Sequence, residues 1–101
     1  MTKVYNKLVR DKIPEIISSQ GKRCKVYVAT KKEYEEKLQS KLVEEVEEFL
    51  EDPSVEELAD IQEVLLSIAE SKKWKLEPTR VAKNVARGGF WKRYILQEVS
   101  E

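Results

Sequence analysis

The sequence predicts an all-α fold, a helical hairpin or bundle of about four helices. Apolar residues recur at helical spacing through two long segments, and each segment begins with a capping-box pattern. Only one short stretch alternates apolar and polar residues as a strand does. Because the chain has 101 residues, we expect a single domain spanning residues 1–101.

The first helix is predicted to begin near Lys12 or Ile13, because Pro14 is tolerated in the first turn of a helix. Gly21 is expected to end it. Residues 25–30 alternate like a strand, but one short strand has no evident partner. We therefore interpret this stretch as an extended connector.

The second and third helices are predicted from their start signals. Thr30 followed by Glu33, and Ser54 followed by Glu57, form two capping-box patterns. Pro53 lies in the short break between the two periodic segments. A break this short favours an antiparallel pair of helices.

A fourth helix is predicted to begin near Glu77 and Pro78 and to end at Gly88. Residues 90–99 form an apolar-rich tail. We expect this tail either to pack back on the helices or to pair with another chain. Association through an exposed apolar helix face would enlarge a small core, so we expect a homodimer or a tetramer.

Composition excludes several classes of site. The chain has no histidine and one cysteine, Cys24, which excludes histidine ligands, an internal disulfide and a thiolate zinc cluster. No apolar run is long enough to span a bilayer, and the N-terminus lacks the core of a signal peptide. We expect a cytoplasmic protein without a membrane partner.

Charge is balanced overall but segregated along the chain. The 19 basic and 19 acidic residues give a formal net charge of zero, which argues against a broad nucleic-acid interface. Acids dominate residues 44–63 and bases dominate residues 72–93. This segregation favours a small phosphorylated ligand with a cation, although a nucleic-acid-binding basic tail is an alternative.

The acidic residues of the hairpin fall at particular helical positions. At about 100° per residue, each helix presents one pair of carboxylates, spaced i and i+3, at the border of its apolar stripe. The other acids are predicted to face solvent: Glu44, Glu47, Glu51, Glu56 and Glu63. The four at the border are Glu45, Glu48, Glu57 and Asp60.

Four carboxylates that converge between two helices would repel one another unless a cation lay among them. Oxygen ligands without nitrogen or sulfur suit Mg²⁺, with Mn²⁺ as the alternative. An acid-rich helix face is more commonly only solvated. The pattern alone leaves both interpretations open.

Three motifs resemble those of a known family. Residues 41–48 (KLVEEVEE) followed by residues 57–60 (ELAD) resemble the EExxE…ExxD signature of the MazG-like, all-α NTP pyrophosphatase superfamily. Residues 5–17 (YNKLVRDKIPEII) and 83–90 (KNVARGGF) are similar to its phosphoribosyl-ATP pyrophosphohydrolase-like branch. The motifs occur in the expected order and cover nearly the whole chain.

The resemblance implies a Mg²⁺-dependent enzyme that cleaves a nucleoside triphosphate, (d)NTP, into (d)NMP and pyrophosphate, in a housecleaning role. Water would attack the α-phosphorus. The acids that the superfamily uses to hold Mg²⁺ correspond here to Glu45, Glu48, Glu57 and Asp60. The gap between the two acidic motifs is shorter than in many relatives.

Other residues are candidates for catalysis and substrate binding. Glu44 or Glu45 is expected to orient or deprotonate the water. Lys41, one turn before Glu45, either pairs with the acids or meets a phosphate. Lys7 and Arg10 lie in the N-terminal motif and are expected to close over the ligand, with Asp11 as a candidate to hold Arg10. The resemblance also assigns phosphate binding to Lys83 and Arg87, although bases at a helix end are favourable without any ligand.

Two alternatives remain within this prediction. The substrate could be phosphoribosyl-ATP instead of a nucleoside triphosphate. The chain could also be a nucleotide-binding or regulatory helical module without turnover. No nucleic-acid partner is expected under any of these interpretations.

Overall fold

The computed structural model describes all 101 residues as four α-helices without strands, which confirms the predicted all-α class. The helices are α1, Ile13–Ser19; α2, Lys31–Glu51; α3, Val55–Lys72; and α4, Leu76–Arg87. No helix is long and apolar enough to cross a membrane.

The predicted helix boundaries are confirmed by their local chemistry. Thr30 Oγ1 accepts a hydrogen bond from the N–H of Glu33 at 3.2 Å, which caps α2. Ser54 Oγ accepts from the N–H of Glu57 at 3.1 Å, which caps α3. Gly21 follows α1 with φ +76°, in the left-handed region that glycine adopts without strain. Residues 25–30 form neither helix nor strand, as the connector interpretation predicted.

The main packing of the fold is between α2 and α3. Lys72 at the end of α3 pairs with Glu35 near the start of α2, with Nζ and Oε2 3.0 Å apart. At the other end, carboxylates of Glu45 and Asp60 lie in one cluster. These two contacts show that the helices run antiparallel, as a three-residue connection favours.

The core of the isolated chain is small. Its buried apolar residues are Leu38, Val64 and Ala69, all on the α2–α3 hairpin. The radius of gyration is 18.5 Å, whereas a compact domain of this length has about 13 Å. The chain is therefore elongated, and the hairpin is its only packed unit.

The C-terminal arm, which we define as residues 76–99, is exposed throughout. The tail after α4 does not pack back on the hairpin, which leaves pairing with another chain as the remaining expectation. Phe90 and Trp91 are almost fully exposed. Aromatic side chains of this size usually bury much of their surface.

Candidate metal centre

Acidic side chains from α2 and α3 meet near the connection between these helices. Carboxylate oxygens of Glu45, Glu57 and Asp60 lie within 4.8 Å of one another, and so do those of Glu44, Glu45 and Glu48. Because Glu45 belongs to both groups, the five acids form one acidic cluster. The structure therefore brings together all four residues that the sequence predicted as metal ligands.

The cap of α3 positions one member of this cluster. Ser54 fixes the start of the helix, and Glu57 is its third residue. In a complete capping box the glutamate side chain accepts a hydrogen bond from the backbone N–H of the cap residue. Glu57 makes no such bond, and its Oε2 is buried without a hydrogen-bond partner. The carboxylate thus belongs to the cluster and not to the cap.

The most buried acid is Glu45, of which 6% is exposed. Burial, followed by repulsion from Glu48, raises the pKa of the Glu45 carboxyl. Burial and then the charge of Glu48 likewise raise the pKa of Glu57. The raised pKa values mean that the charged forms of Glu45 and Glu57 are less stable at these positions than they are in water.

The unpartnered oxygens test whether a cation fits this site. Glu45 Oε2 and Glu57 Oε2 are both buried and have no hydrogen-bond partner. A buried carboxylate without a partner is costly, and a bound cation removes that cost. An all-oxygen set from two rigid helices suits a hard divalent cation, so the residues fit Mg²⁺ or Mn²⁺.

Three basic side chains surround the acids. Lys41 Nζ lies 3.5 Å from Glu45 Oε1 and 3.7 Å from Glu44 Oε1. Lys7 Nζ lies 3.3 Å from Glu44 Oε1, and Arg10 Nη2 lies 2.7 Å from Asp60 Oδ1. Of the two roles left open for Lys41, the structure shows pairing with the acids.

Two expectations about this site are wrong. Glu44 was predicted to face solvent but lies in the cluster, because Lys7 and Lys41 hold its carboxylate. On the helical wheel Glu44 is only about 40° beyond Glu48, a difference that a long side chain spans. Asp11 was expected to hold Arg10, but Asp60 does so instead. This pairing joins residues 50 positions apart, and local spacing does not reveal it.

The N-terminal segment reaches the cluster through a contact that the sequence analysis missed. Lys37 Nζ donates to the backbone carbonyl of Asn6 at 2.9 Å, which fastens the segment to α2. Asn6 has φ +48°, a left-handed conformation that asparagine adopts more readily than most residues. The only signal in the sequence was the asparagine itself, between Tyr5 and Lys7.

Lys83 and Arg87 are not brought to the cluster within one chain. Both lie on the exposed surface of α4 and line an open groove formed by residues of that helix alone. Neither makes an ion pair with a carboxylate. Their assignment to phosphate binding stays a prediction.

Comparison with known proteins gives no relative from which to transfer a function. No family model, curated protein or solved structure matches the chain. The similarity to the MazG-like superfamily therefore stays a prediction from the motifs, and the geometry of the acidic cluster is the independent observation beside it.

Proposed function

We propose that the protein is a Mg²⁺-dependent nucleoside triphosphate pyrophosphohydrolase, which cleaves (d)NTP into (d)NMP and pyrophosphate. One observation carries the proposal: carboxylates from two antiparallel helices converge, and buried oxygens of Glu45 and Glu57 have no partner. We place the activity in the cytoplasm, as housecleaning of the nucleotide pool.

The proposed ligands are the four acids at the facing edges of the hairpin. A bound Mg²⁺ would neutralise phosphate charge and lower the pKa of a coordinated water. The residues in this role are Glu45, Glu48, Glu57 and Asp60, and their spacing on two helices allows them to approach one ion from both sides.

Glu44 is suited to act on the attacking water. Its Oε1 is held by Lys7 and Lys41, while no hydrogen bond or ion pair engages its Oε2. Glu44 is also the more accessible candidate, since Glu45 is buried. The water oxygen forms a bond to the α-phosphorus, its proton passes to the carboxylate, and the anhydride bond to pyrophosphate breaks.

The surrounding cations would bind the triphosphate. Lys7 and Arg10 are about half exposed and extend over the cluster from the N-terminal segment. Lys41 is more buried and is fixed beside the acids. Arginine and lysine at such positions bind phosphate oxygens, arginine with two parallel N–H groups.

We propose further that the active protein is a homodimer or a tetramer. The isolated chain leaves large apolar side chains exposed on the hairpin and along the arm, including Leu50, Val85 and Ile95. A stable interface needs about 800 Å² from each partner, and the exposed apolar side chains of the arm would contribute to it. In the assembly we place Lys83 and Arg87 at the acidic cluster of a neighbouring copy.

The test is pyrophosphate release from a panel of canonical and damaged (d)NTPs and phosphoribosyl-ATP, with Mg²⁺ or with EDTA. We expect metal-dependent turnover that falls by more than about 100-fold in Glu48→Ala. Glu47→Ala is the matched control, because Glu47 lies on the same helix outside the cluster. It should retain nearly full activity.

The same panel separates the alternatives. Release from phosphoribosyl-ATP alone would assign the related reaction, since both reactions need the same acids. Binding of metal and nucleotide without release from any substrate would contradict the enzyme and leave a nucleotide-binding module.

A further inference from the structure

The segment that precedes α1 contacts the acidic cluster almost entirely through polar groups. Residues 1–12 form no helix or strand. Lys37 binds the carbonyl of Asn6, Lys7 pairs with Glu44, and Arg10 pairs with Asp60. Between these contacts Leu8 and Val9 are only half-buried. A segment with so few buried apolar contacts opens locally without unfolding the hairpin.

The pair between Arg10 and Asp60 occupies an atom of the candidate metal site. Arg10 Nη2 lies 2.7 Å from Asp60 Oδ1, a short charge-assisted hydrogen bond. Asp60 is one of the acids whose oxygens converge with those of Glu45 and Glu57. A divalent cation that used this oxygen at about 2.1 Å would lie against the guanidinium. Repulsion between two cations at that distance would displace the mobile one.

Arg10 is only partly used by this contact. A guanidinium has five N–H donors arranged to bind two oxygens at once, and Arg10 makes a single hydrogen bond. Its side chain is 57% exposed. Exposed ion pairs contribute little to stability, so the pair separates at small cost and leaves the guanidinium free to bind another anion.

The acids are also left incompletely neutralised by these side chains. Glu45 is more than nine-tenths buried, and its Oε2 has no partner although three basic residues lie around the cluster. The N-terminal cations reach Glu44 and Asp60 at the edge and not the centre. They therefore compensate the outer carboxylates, while Glu45 has only Lys41 beside its Oε1 and Glu57 has no basic partner.

We propose that Arg10 is an exchangeable internal counterion of the site. In the free protein it neutralises Asp60, a divalent cation displaces it, and it then closes the N-terminal segment over the substrate by binding the triphosphate. The inference rests on the proposed function for the presence of the metal site. It adds that a divalent cation and Arg10 of the N-terminal segment compete for Asp60. Metal alone should loosen the segment, whereas metal with nucleotide should fix it.

The experiment measures Mn²⁺ binding by calorimetry without nucleotide, in the wild type and in Arg10→Gln. Removal of the competing cation is expected to tighten Mn²⁺ binding by about 5-fold or more. The same variant should bind a non-hydrolysable triphosphate analogue, with Mn²⁺ present, at least about 10-fold more weakly. Arg23→Gln is the control, because Arg23 is exposed and makes no ion pair. It should change neither affinity.

Trypsin cleavage after Arg10 gives a readout independent of affinity and of activity. We expect Mn²⁺ alone to accelerate this cleavage in the wild type, and Mn²⁺ with the analogue to suppress it. Suppose that the wild type binds Mn²⁺ and releases pyrophosphate, but Arg10→Gln binds Mn²⁺ no more tightly than the wild type. That result would overturn the counterion role of Arg10 and leave the proposed function standing. A wild type that binds no Mn²⁺ would overturn both.

Discussion

The α2–α3 hairpin and the C-terminal arm differ in what they bury. The hairpin holds all four buried residues of the chain, and one of these is the charged Glu45. The arm has no buried residue, although it carries Trp91, Ile95 and Leu96. Polar groups are thus buried in one region while large apolar groups are exposed in the other, the reverse of what burial energetics favours.

The two anomalies have different causes. The buried acid of the hairpin, Glu45, is held there by helix geometry and would become favourable on binding of the proposed cation. The exposed apolar side chains on the arm would become favourable on burial in the proposed oligomer. The predictions below separate these two causes.

The largest effect is expected from removing one buried charge. Glu45→Gln removes the charge of the most buried carboxylate while keeping the shape of the side chain, so the metal-free variant should unfold at a higher temperature than the wild type. Loss of this proposed metal ligand should weaken Mg²⁺ binding by more than about 100-fold. Thermal unfolding with and without Mg²⁺ checks both, because Mg²⁺ should stabilise only the wild type.

Glu47→Gln is the control for that variant, since its side chain is exposed on the same helix. It should respond to Mg²⁺ as the wild type does. If metal-free Glu45→Gln were less stable than the wild type, the ion pair between Lys41 and Glu45 Oε1 would outweigh the cost of burying the unpartnered Oε2.

The next effect is on assembly. Val85→Glu places a charge on the apolar side of the arm and should convert the proposed oligomer to monomers, which light scattering after gel filtration detects. Val28→Glu changes another exposed valine, in the connector, and should leave the mass unchanged. Because the acidic cluster lies within one hairpin, monomeric Val85→Glu should still bind Mn²⁺. A wild type that is itself monomeric at micromolar concentration would contradict the role of the arm.

A third prediction asks whether the two regions meet in the active site. If the arm of one copy serves the cluster of another, inactive Glu48→Ala and Arg87→Ala should complement each other. Random mixing of the two variants as dimers restores one intact site in each mixed dimer, about a quarter of wild-type activity. Co-refolding followed by the pyrophosphate assay measures this. Activity that stays at the level of the separate variants would place Arg87 at the site of its own chain or outside catalysis.

Local signals in the sequence predicted the helices well, and helical spacing predicted that the four border acids converge. Thr30 and Ser54 cap helices as expected, and the i, i+3 pairs converge. The contacts of the N-terminal segment were not predictable, since Arg10 and Asp60 lie far apart in sequence and their pairing depends on tertiary packing. The exposure of the arm could not be predicted either, because an apolar helix face has the same sequence pattern whether it packs against its own chain or against another chain.

The smallest effect is expected from removing one ion pair in each region. In the hairpin, Lys72 lowers the pKa of Glu35, and in α4, Arg80 lowers the pKa of Glu77. A lowered pKa stabilises the folded state above the carboxyl's ordinary value of 4.5, and this contribution disappears as pH falls through the folded pKa. Glu35→Gln should therefore lower the melting temperature by about 1 to 3 °C at pH 7, and the difference from the wild type should shrink as the pH falls below 4.5. Glu77→Gln should lower the melting temperature less, because the hairpin does not pack against the arm. If Glu77→Gln lowered the melting temperature as much as Glu35→Gln, the arm would unfold together with the hairpin.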